Sequence, residues 1–381
     1  MQESTRLEQF QTLLDGVADA AFLPPSADLH YLAAVPREIP TYGRTIHPGA
    51  WLEGAWLSPD RAPVLALPRM TAEFGGLHGG DDVEVRVLGD WDDPASLVKE
   101  ILDGLNLPPQ PRIAVGEETA GETLVALQAL LPQATFVSAT AILRQMRVIK
   151  SEAEIETMRR AGEITVAAYQ AVCGALQHGM TELDLVSEID YQLRRYGSLG
   201  PSFTTSLYCS GPRHPLRFGQ PQETWPRKLE PPVAVLFDFG AIHEGFCYDF
   251  GRTVFFGEPN AEYRRIYELV MASQAAGIAA MRAGQVTAAE VDAAAREVIE
   301  EAGYGETFRH RLGHGIGMDV HEPPFLTAGD DTVLQAGMMF TVEPSITQFD
   351  TFSARVEDVV VVREDGGEPL TDGFREMRVV E

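Results

Sequence analysis

Basic residues are scarce in this chain: 30 lysines and arginines stand against 56 aspartates and glutamates, a net charge of −26. That balance argues against partners such as the phosphate backbone of nucleic acid or an anionic membrane surface. Cysteine is scarcer still. Cys173, Cys209 and Cys247 are odd in number, widely spaced and form no C-x-x-C pair. This excludes a disulfide framework and a thiolate zinc site, and leaves three small buried hydrophobes. No apolar run reaches the roughly eighteen residues of a membrane span, and the opening "MQESTRLEQFQTLLDG" lacks a basic segment leading into an apolar one. The expected location is the cytoplasm.

What is present is an ordinary globular composition, 45% hydrophobic and 23% charged, in 381 residues, a length suited to two domains. From Arg6 to about Phe136, helix-like stretches alternate with the short apolar runs "AAFLPP", "WLEGAWLS", "APVLALP", "VEVRVLG" and "RIAVGEE", the pattern of a small α/β domain. The character then changes. Ser151 and Glu154 form an S-x-x-E capping box ahead of a helical pattern carrying Ile155, Met158, Ala161 and Ile164. The boundary is set just before it, giving domains 1–146 and 147–381.

The second region repeats itself. Gly179/Gly284, Thr181/Thr287, Asp184/Glu290 and Gly197/Gly303 stand 105 or 106 residues apart, each set a capped helix closed by glycine. Two strand-like runs follow each helix, "VAVLFDFGAIHEGFCYDFGRTVFFG" and "GMMFTVEPSITQFDTFSARVEDVVVV", and Asp238 and Glu343 keep the register at 105. The region reads as two halves, each a helix followed by an antiparallel strand pair.

Within these runs, Asp238, Asp249, Glu343 and Glu357 are acids embedded in apolar strands. A buried carboxylate is costly unless it is paired or bound to a cation, and two divalent cations would balance four of them. The stretch "RLGHGIGMDVHEPP" adds His314, wedged between glycines, and His321 seven residues on. His314 can give an oxygen-rich site a nitrogen ligand. The alternative is that the acids pair with Arg252, Arg311 or Arg355 while the histidine hydrogen-bonds in a turn.

The motifs "DFGAIHEGFCYDFGRT", "GHGIGMDVHEPP", "GMMFTVEP" and "ARVEDVVVV", with the opening helix "RVIKSEAEIETMRRAG", resemble the pita-bread metallopeptidases of family M24, in the Xaa-Pro branch of prolidase and aminopeptidase P. The resemblance implies a creatinase-like α/β N-terminal domain and an α+β pita-bread domain with an internal pseudo-two-fold duplication. It implies that Asp238, Asp249, His314, Glu343 and Glu357 bind two divalent ions, manganese, cobalt or zinc. Asp249 and Glu357 would bridge them around a nucleophilic hydroxide. Glu343 would also shuttle the proton, and His321 would hold the substrate, a short peptide. His214, Arg44 and Arg355 are the further candidate substrate contacts, and a homodimer is implied.

Two positions depart from the family pattern. Phe218 stands where a histidine is usual, and Thr347 where a tyrosine follows the first metal glutamate. His214 is a possible stand-in for the first, and Arg44 or His47 in "YGRTIHPGAW" for polar contacts from the N-terminal domain. Shifted selectivity, such as release of a C-terminal residue, therefore stays open beside Xaa-Pro hydrolysis. A metal-free creatinase-type hydrolase and a non-catalytic peptide-binding protein are the remaining alternatives.

Overall fold

The computed structural model describes residues 5–37, 49–77, 83–349, 351–371 and 374–381. The chain divides into two compact units, Met1–Arg147 and Val148–Glu381. In the first, the five apolar runs form β1 (Ala20–Leu23), β2 (Gly54–Ser58), β3 (Arg61–Pro68), β4 (Glu84–Leu88) and β5 (Arg112–Val115), joined by β6 (Thr135–Ser138). Their order is β4-β3-β2-β1-β5-β6. β2 pairs antiparallel with both neighbours and the other pairings are parallel. Among the described residues, six α-helices accompany the sheet: α1 (Arg6–Leu14), α2 (Ala27–Ala33), α3 (Arg69–Gly75), α4 (Pro94–Gly104), α5 (Gly121–Leu130) and α6 (Thr140–Arg147). Phe22, Trp56, Val98, Ile113 and Leu127 form its core.

The second unit opens with α7 (Glu152–Ala175), started by the Ser151–Glu154 capping box and burying Ile155, Met158, Ala161 and Ile164. The repeated helices are α8 (Glu182–Arg195) and, after the short α9 (Pro221–Thr224) and the long α10 (Ala261–Ala280), α11 (Ala288–Glu301). Both have the reciprocal capping box expected of them, Thr181 with Asp184 and Thr287 with Glu290. Gly197 and Gly303 follow them at φ 107° and 85°, a region that favours glycine.

The strands are β7 (Ser206–Ser210), β8 (Val233–Phe239), the small hairpin β9 (Ile242–His243) and β10 (Phe246–Cys247), then β11 (Phe250–Phe256), β12 (Gly313–Gly315) and β13 (Glu322–Leu326). β14 (Met339–Val342), β15 (Ser345–Gln348), β16 (Phe352–Val362), β17 (Gly367–Pro369) and β18 (Arg378–Val380) complete them. The main path is β13-β12-β14-β16-β11-β8-β7. The pairs β8/β11 and β14/β16 are antiparallel, as the duplication requires, and β11 joins the halves by pairing with β16. Below the sheet, Val291, Ala295, Ile299, Leu312, Phe340, Val356 and Val360 share one fully buried core.

All three cysteines are buried thiols. Among the described residues, no helix is long and apolar enough to cross a membrane.

Candidate metal centre

The site is built where the two halves meet. Asp238 of β8 and Glu357 of β16 both pair with Gly251 of β11. A Cβ at residue 251 would stand 2.8 Å from Glu357 Oε2 and 3.3 Å from the Nε of Arg355. Glycine there leaves the space into which carboxylates from both neighbouring strands converge. Asp249 lies immediately before β11, and Glu343 immediately after β14, its amide donating to the Leu312 carbonyl at 2.8 Å. His314 sits mid-strand in β12, between glycines whose added Cβ atoms would strike the Thr341 carbonyl at 1.9 Å and the Glu322 carbonyl at 2.5 Å. Only a backbone without side chains lets β12 come so close to its neighbours.

Polar atoms orient these groups. The Thr341 hydroxyl accepts from the His314 amide at 3.1 Å and donates to Glu343 Oε1 at 3.1 Å. His314 Nδ1 lies 3.0 Å from the Gly315 carbonyl, so that nitrogen carries the proton and donates it. Its Nε2 lone pair then faces Glu343 Oε1 at 3.4 Å and Asp249 Oδ2 at 3.6 Å. Burial lowers the pKa of His314, which keeps the ring neutral. A lone pair aimed at two carboxylates is an arrangement that wants a cation among them. Asp249 Oδ1 and Glu357 Oε2 are also buried without a hydrogen bond. Burial first, and then neighbouring carboxylates, push Asp249 and Glu357 above the ordinary carboxylate range, and burial does the same to Glu343.

Three overlapping groups have donor atoms within 4.8 Å of one another: Asp238, Asp249 and Glu357; His314, Glu343 and Glu357; and Asp249, His314 and His321. The five expected ligands are therefore brought together, and the donor set of carboxylates with one neutral imidazole fits divalent cations. Arg355 is part of the same cluster. Its Nη2 contacts Asp238 and lies 3.3 Å from Glu357 Oε2, too poorly aligned for a hydrogen bond, while Nη1 lies 3.5 Å from Glu343. One guanidinium cannot neutralise four carboxylates. Arg252 pairs instead with Asp358, and Arg311 lies over the Phe325 ring at 4.5 Å.

The acids open into a cavity of about 770 Å³ also lined by Phe203, Tyr208, His310, His321 and Phe325. The His321 ring stands 4.0 Å from that of His314, and burial pushes its pKa down to about 4. His321 is thus a neutral imidazole at the cavity wall.

The structure corrects the expectation for His214. That side chain is buried in the turn it closes with Gly211, and its Nε2 lies 2.9 Å from the Lys228 carbonyl, so it is committed to the loop and does not line the cavity. Arg355 does line the cavity, but its guanidinium is occupied by the acids. Arg44 and His47 lie outside the described residues. Phe218 packs on Tyr208 and Phe349, at 4.6 and 5.8 Å between ring centroids, and Thr347 is tied to the Ser353 hydroxyl at 3.0 Å inside the β15/β16 hairpin. Neither replaces the group usual in the family.

The profile of metallopeptidase family M24 matches residues 156–364. A Xaa-Pro dipeptidase of Lactobacillus delbrueckii subsp. lactis is 36% identical over 323 residues, 84% of this chain and 86% of that protein. The chain belongs to metallopeptidase family M24. Among solved structures, a dipeptidase from Pyrococcus horikoshii superposes with a TM-score of 0.85 at 29% identity, over 99% of this chain and all of that one. A prolidase from Thermococcus sibiricus gives 0.86 at 26% identity, over 100% of both chains. The pita-bread fold and the peptidase class follow from these likenesses, and M24 membership implies divalent metal.

Sequence reasoning missed several residues of this M24 site. His310 bridges the Arg311 carbonyl and the Ser345 hydroxyl, both at 2.7 Å, and burial pushes its pKa down to about 4. Its place four residues before His314 was the available signal. Tyr208 shares a face of β7 with Ser206, which pairs with Asp238, so the period of the strand could have found it.

Proposed function

We propose that Asp238, Asp249, His314, Glu343 and Glu357 hold two divalent ions, manganese, cobalt or zinc, and that this M24 peptidase cleaves short Xaa-Pro peptides in the manner of prolidase or aminopeptidase P. The observation that carries this is the convergence of five donors on one cavity wall, with the His314 lone pair facing Glu343 Oε1 and Asp249 Oδ2, and with Asp249 Oδ1 and Glu357 Oε2 buried without a hydrogen bond. Divalent ions bound there would polarise a peptide carbonyl and lower the pKa of a water.

The residues supply the rest. Glu343, oriented by the Thr341 hydroxyl, is the group that takes and returns the proton. His321, neutral and on the cavity wall, donates a hydrogen bond to the peptide. Phe203, Tyr208 and Phe325 give apolar walls for small side chains. Arg355 spaces the acids from one another. The first unit serves as the creatinase-like domain.

Phe218 and Thr347 favour a second reading within the same chemistry. Fewer donors face the reacting carbonyl, and each lost donor of this kind costs on the order of a hundredfold in rate. The enzyme is then slow on standard Xaa-Pro substrates or selective for another peptide, including release of a C-terminal residue. We place it in the cytoplasm, in keeping with its buried thiols, and propose a homodimer, supported by exposed Met70, Phe74, Val87 and Trp91 along one margin of the first unit.

Elemental analysis should find about two divalent ions per chain, and chelation should abolish hydrolysis of a panel of Xaa-Pro dipeptides, Xaa-Pro-Xaa tripeptides and proline-free peptides. Full activity in metal-stripped protein would overturn the mechanism. Family-like rates on Xaa-Pro substrates would overturn the shifted-selectivity reading.

A further inference from the structure

The loop 316–321, which carries His321, is anchored at its start by the buried Ile316 and Met318 and by the Ile316 amide, which donates to the Met339 carbonyl of β14 at 3.3 Å, while Val320 and His321 at its far end are less buried. Further hydrogen bonds hold the rest of it. Cys247 of β10 donates its amide to the Gly317 carbonyl at 2.8 Å, and the Gly317 amide donates to the Asp319 carbonyl at 3.0 Å. Beneath the loop lies the Glu322 carboxylate, whose Oε1 accepts from the Asp319 amide at 3.1 Å. A Cβ at residue 317 would stand 2.8 and 2.9 Å from the two carboxylate oxygens and 3.0 Å from the Cε of Lys150. The inside of the loop is therefore filled by a carboxylate and an ammonium group.

Lys150 donates to Glu322 Oε2 at 3.1 Å, with 4% and 8% of the two side chains exposed. The lysine stands on firm ground. It directly precedes the Ser151 cap of α7, its amide donates to the Gly337 carbonyl at 2.9 Å, and Ile149 bridges Met338 at the foot of β14, the strand that leads into Glu343. A buried ion pair contributes little net stability, because desolvation offsets most of the attraction. Its consequence here is geometric: it ties the His321 loop to the strand that presents Glu343.

We propose that Lys150 is a positioning residue for His321, holding the loop 316–321 in register with β14 through Glu322. The inference rests on the reading of His321 as a substrate contact. A purely structural role would lower stability and activity regardless of what stands at residue 321. A positioning role acts only through that imidazole.

The experiment is a double-mutant cycle in the full-length, metal-loaded protein. Lys150→Met, Lys150→Met/Glu322→Gln, His321→Ala and the combinations with His321→Ala are compared for kcat, KM, bound metal, melting temperature and hydrogen exchange of the amides of 317–321. The Glu322→Gln partner removes the orphaned buried charge while keeping the acceptor for Asp319, so it keeps the test open should Lys150→Met fold poorly. We expect kcat/KM to fall by about tenfold to a hundredfold with metal retained, since such supporting contacts carry effects of that size. Faster exchange confined to 317–321 should accompany it, with less than about a twofold further loss when His321 is already alanine. Equal losses in both backgrounds, or unchanged exchange, would overturn the proposal. If the parent hydrolyses no peptide, the proposed function fails, while the exchange measurement still decides whether Lys150 holds the loop.

Discussion

Each acid at the centre is unremarkable alone, and the chemistry arises from what faces it. His314 donates from Nδ1 and so turns its lone pair toward Glu343 and Asp249. His321, 4.0 Å away between ring centroids, has no such commitment to a carbonyl among the described contacts. The two histidines should therefore respond differently to substitution. Glu343→Gln would remove the charge of the proposed ligand and the proposed proton carrier, and turnover should fall by on the order of a thousandfold. His321→Ala should weaken catalysis about tenfold to a hundredfold and leave the bound metal unchanged. Steady-state kinetics with elemental analysis separates them. Loss of metal from His321→Ala would make that residue a ligand, which its proximity to Asp249 and His314 permits.

At the scale of elements, the site depends on strands that approach without side chains between them. Gly251 is the clearest case, flanked in the sheet by Asp238 and Glu357. Gly251→Ala would set a methyl group 2.8 Å from Glu357 Oε2 and 3.0 Å from its Cβ, so the carboxylate must swing out of the cluster. Overpacking of this kind costs about 1–3 kcal/mol. The larger expected effect is functional, at least roughly tenfold weaker metal binding and lower kcat/KM with the fold retained. A Gly251→Ala protein with full metal content and parental kinetics would show that the close approach is dispensable.

The whole molecule carries a strongly acidic surface, which suits solubility and not the binding of polyanions. Against that background the apolar margin of the first unit stands out. Phe74 is 80% and Trp91 98% exposed, and both flank the edge strand β4. The Arg69–Asp90 ion pair, at 2.7 Å, links the start of α3 to the turn carrying Trp91. Fully burying such a side chain contributes roughly 1.5–3 kcal/mol. Light scattering should find a dimer that the double change Phe74→Lys/Trp91→Lys converts to monomer without loss of the fold. A parent that stays monomeric at high concentration, or a variant that stays dimeric, would remove this face from the account.

Local chemistry was legible in the sequence because it is written in short-range rules. The capping boxes at Ser151, Thr181 and Thr287, the first five strands of the first unit and the four acids within apolar strands all follow from spacing and residue type. The repeat in turn foretold the two antiparallel strand pairs. Other features depend on which strands become neighbours, and spacing does not encode that. Arg355 could have been a free substrate contact or a partner of the acids. Only the pairing of β16 with β11, and of β11 with β8, puts its guanidinium beside Asp238. His214 read equally well as a site residue or a turn residue, and the burial of its ring against the Lys228 carbonyl decided for the turn. Lys150 and Glu322 are 172 positions apart in the chain, and nothing local to either predicts the other. The sequence determined which groups bear the chemistry, because residue type and period govern strands, caps and buried charge. Tertiary structure decided which of those groups meet, because a contact across a sheet or beneath a loop depends on strand order and on glycines that allow backbones to close.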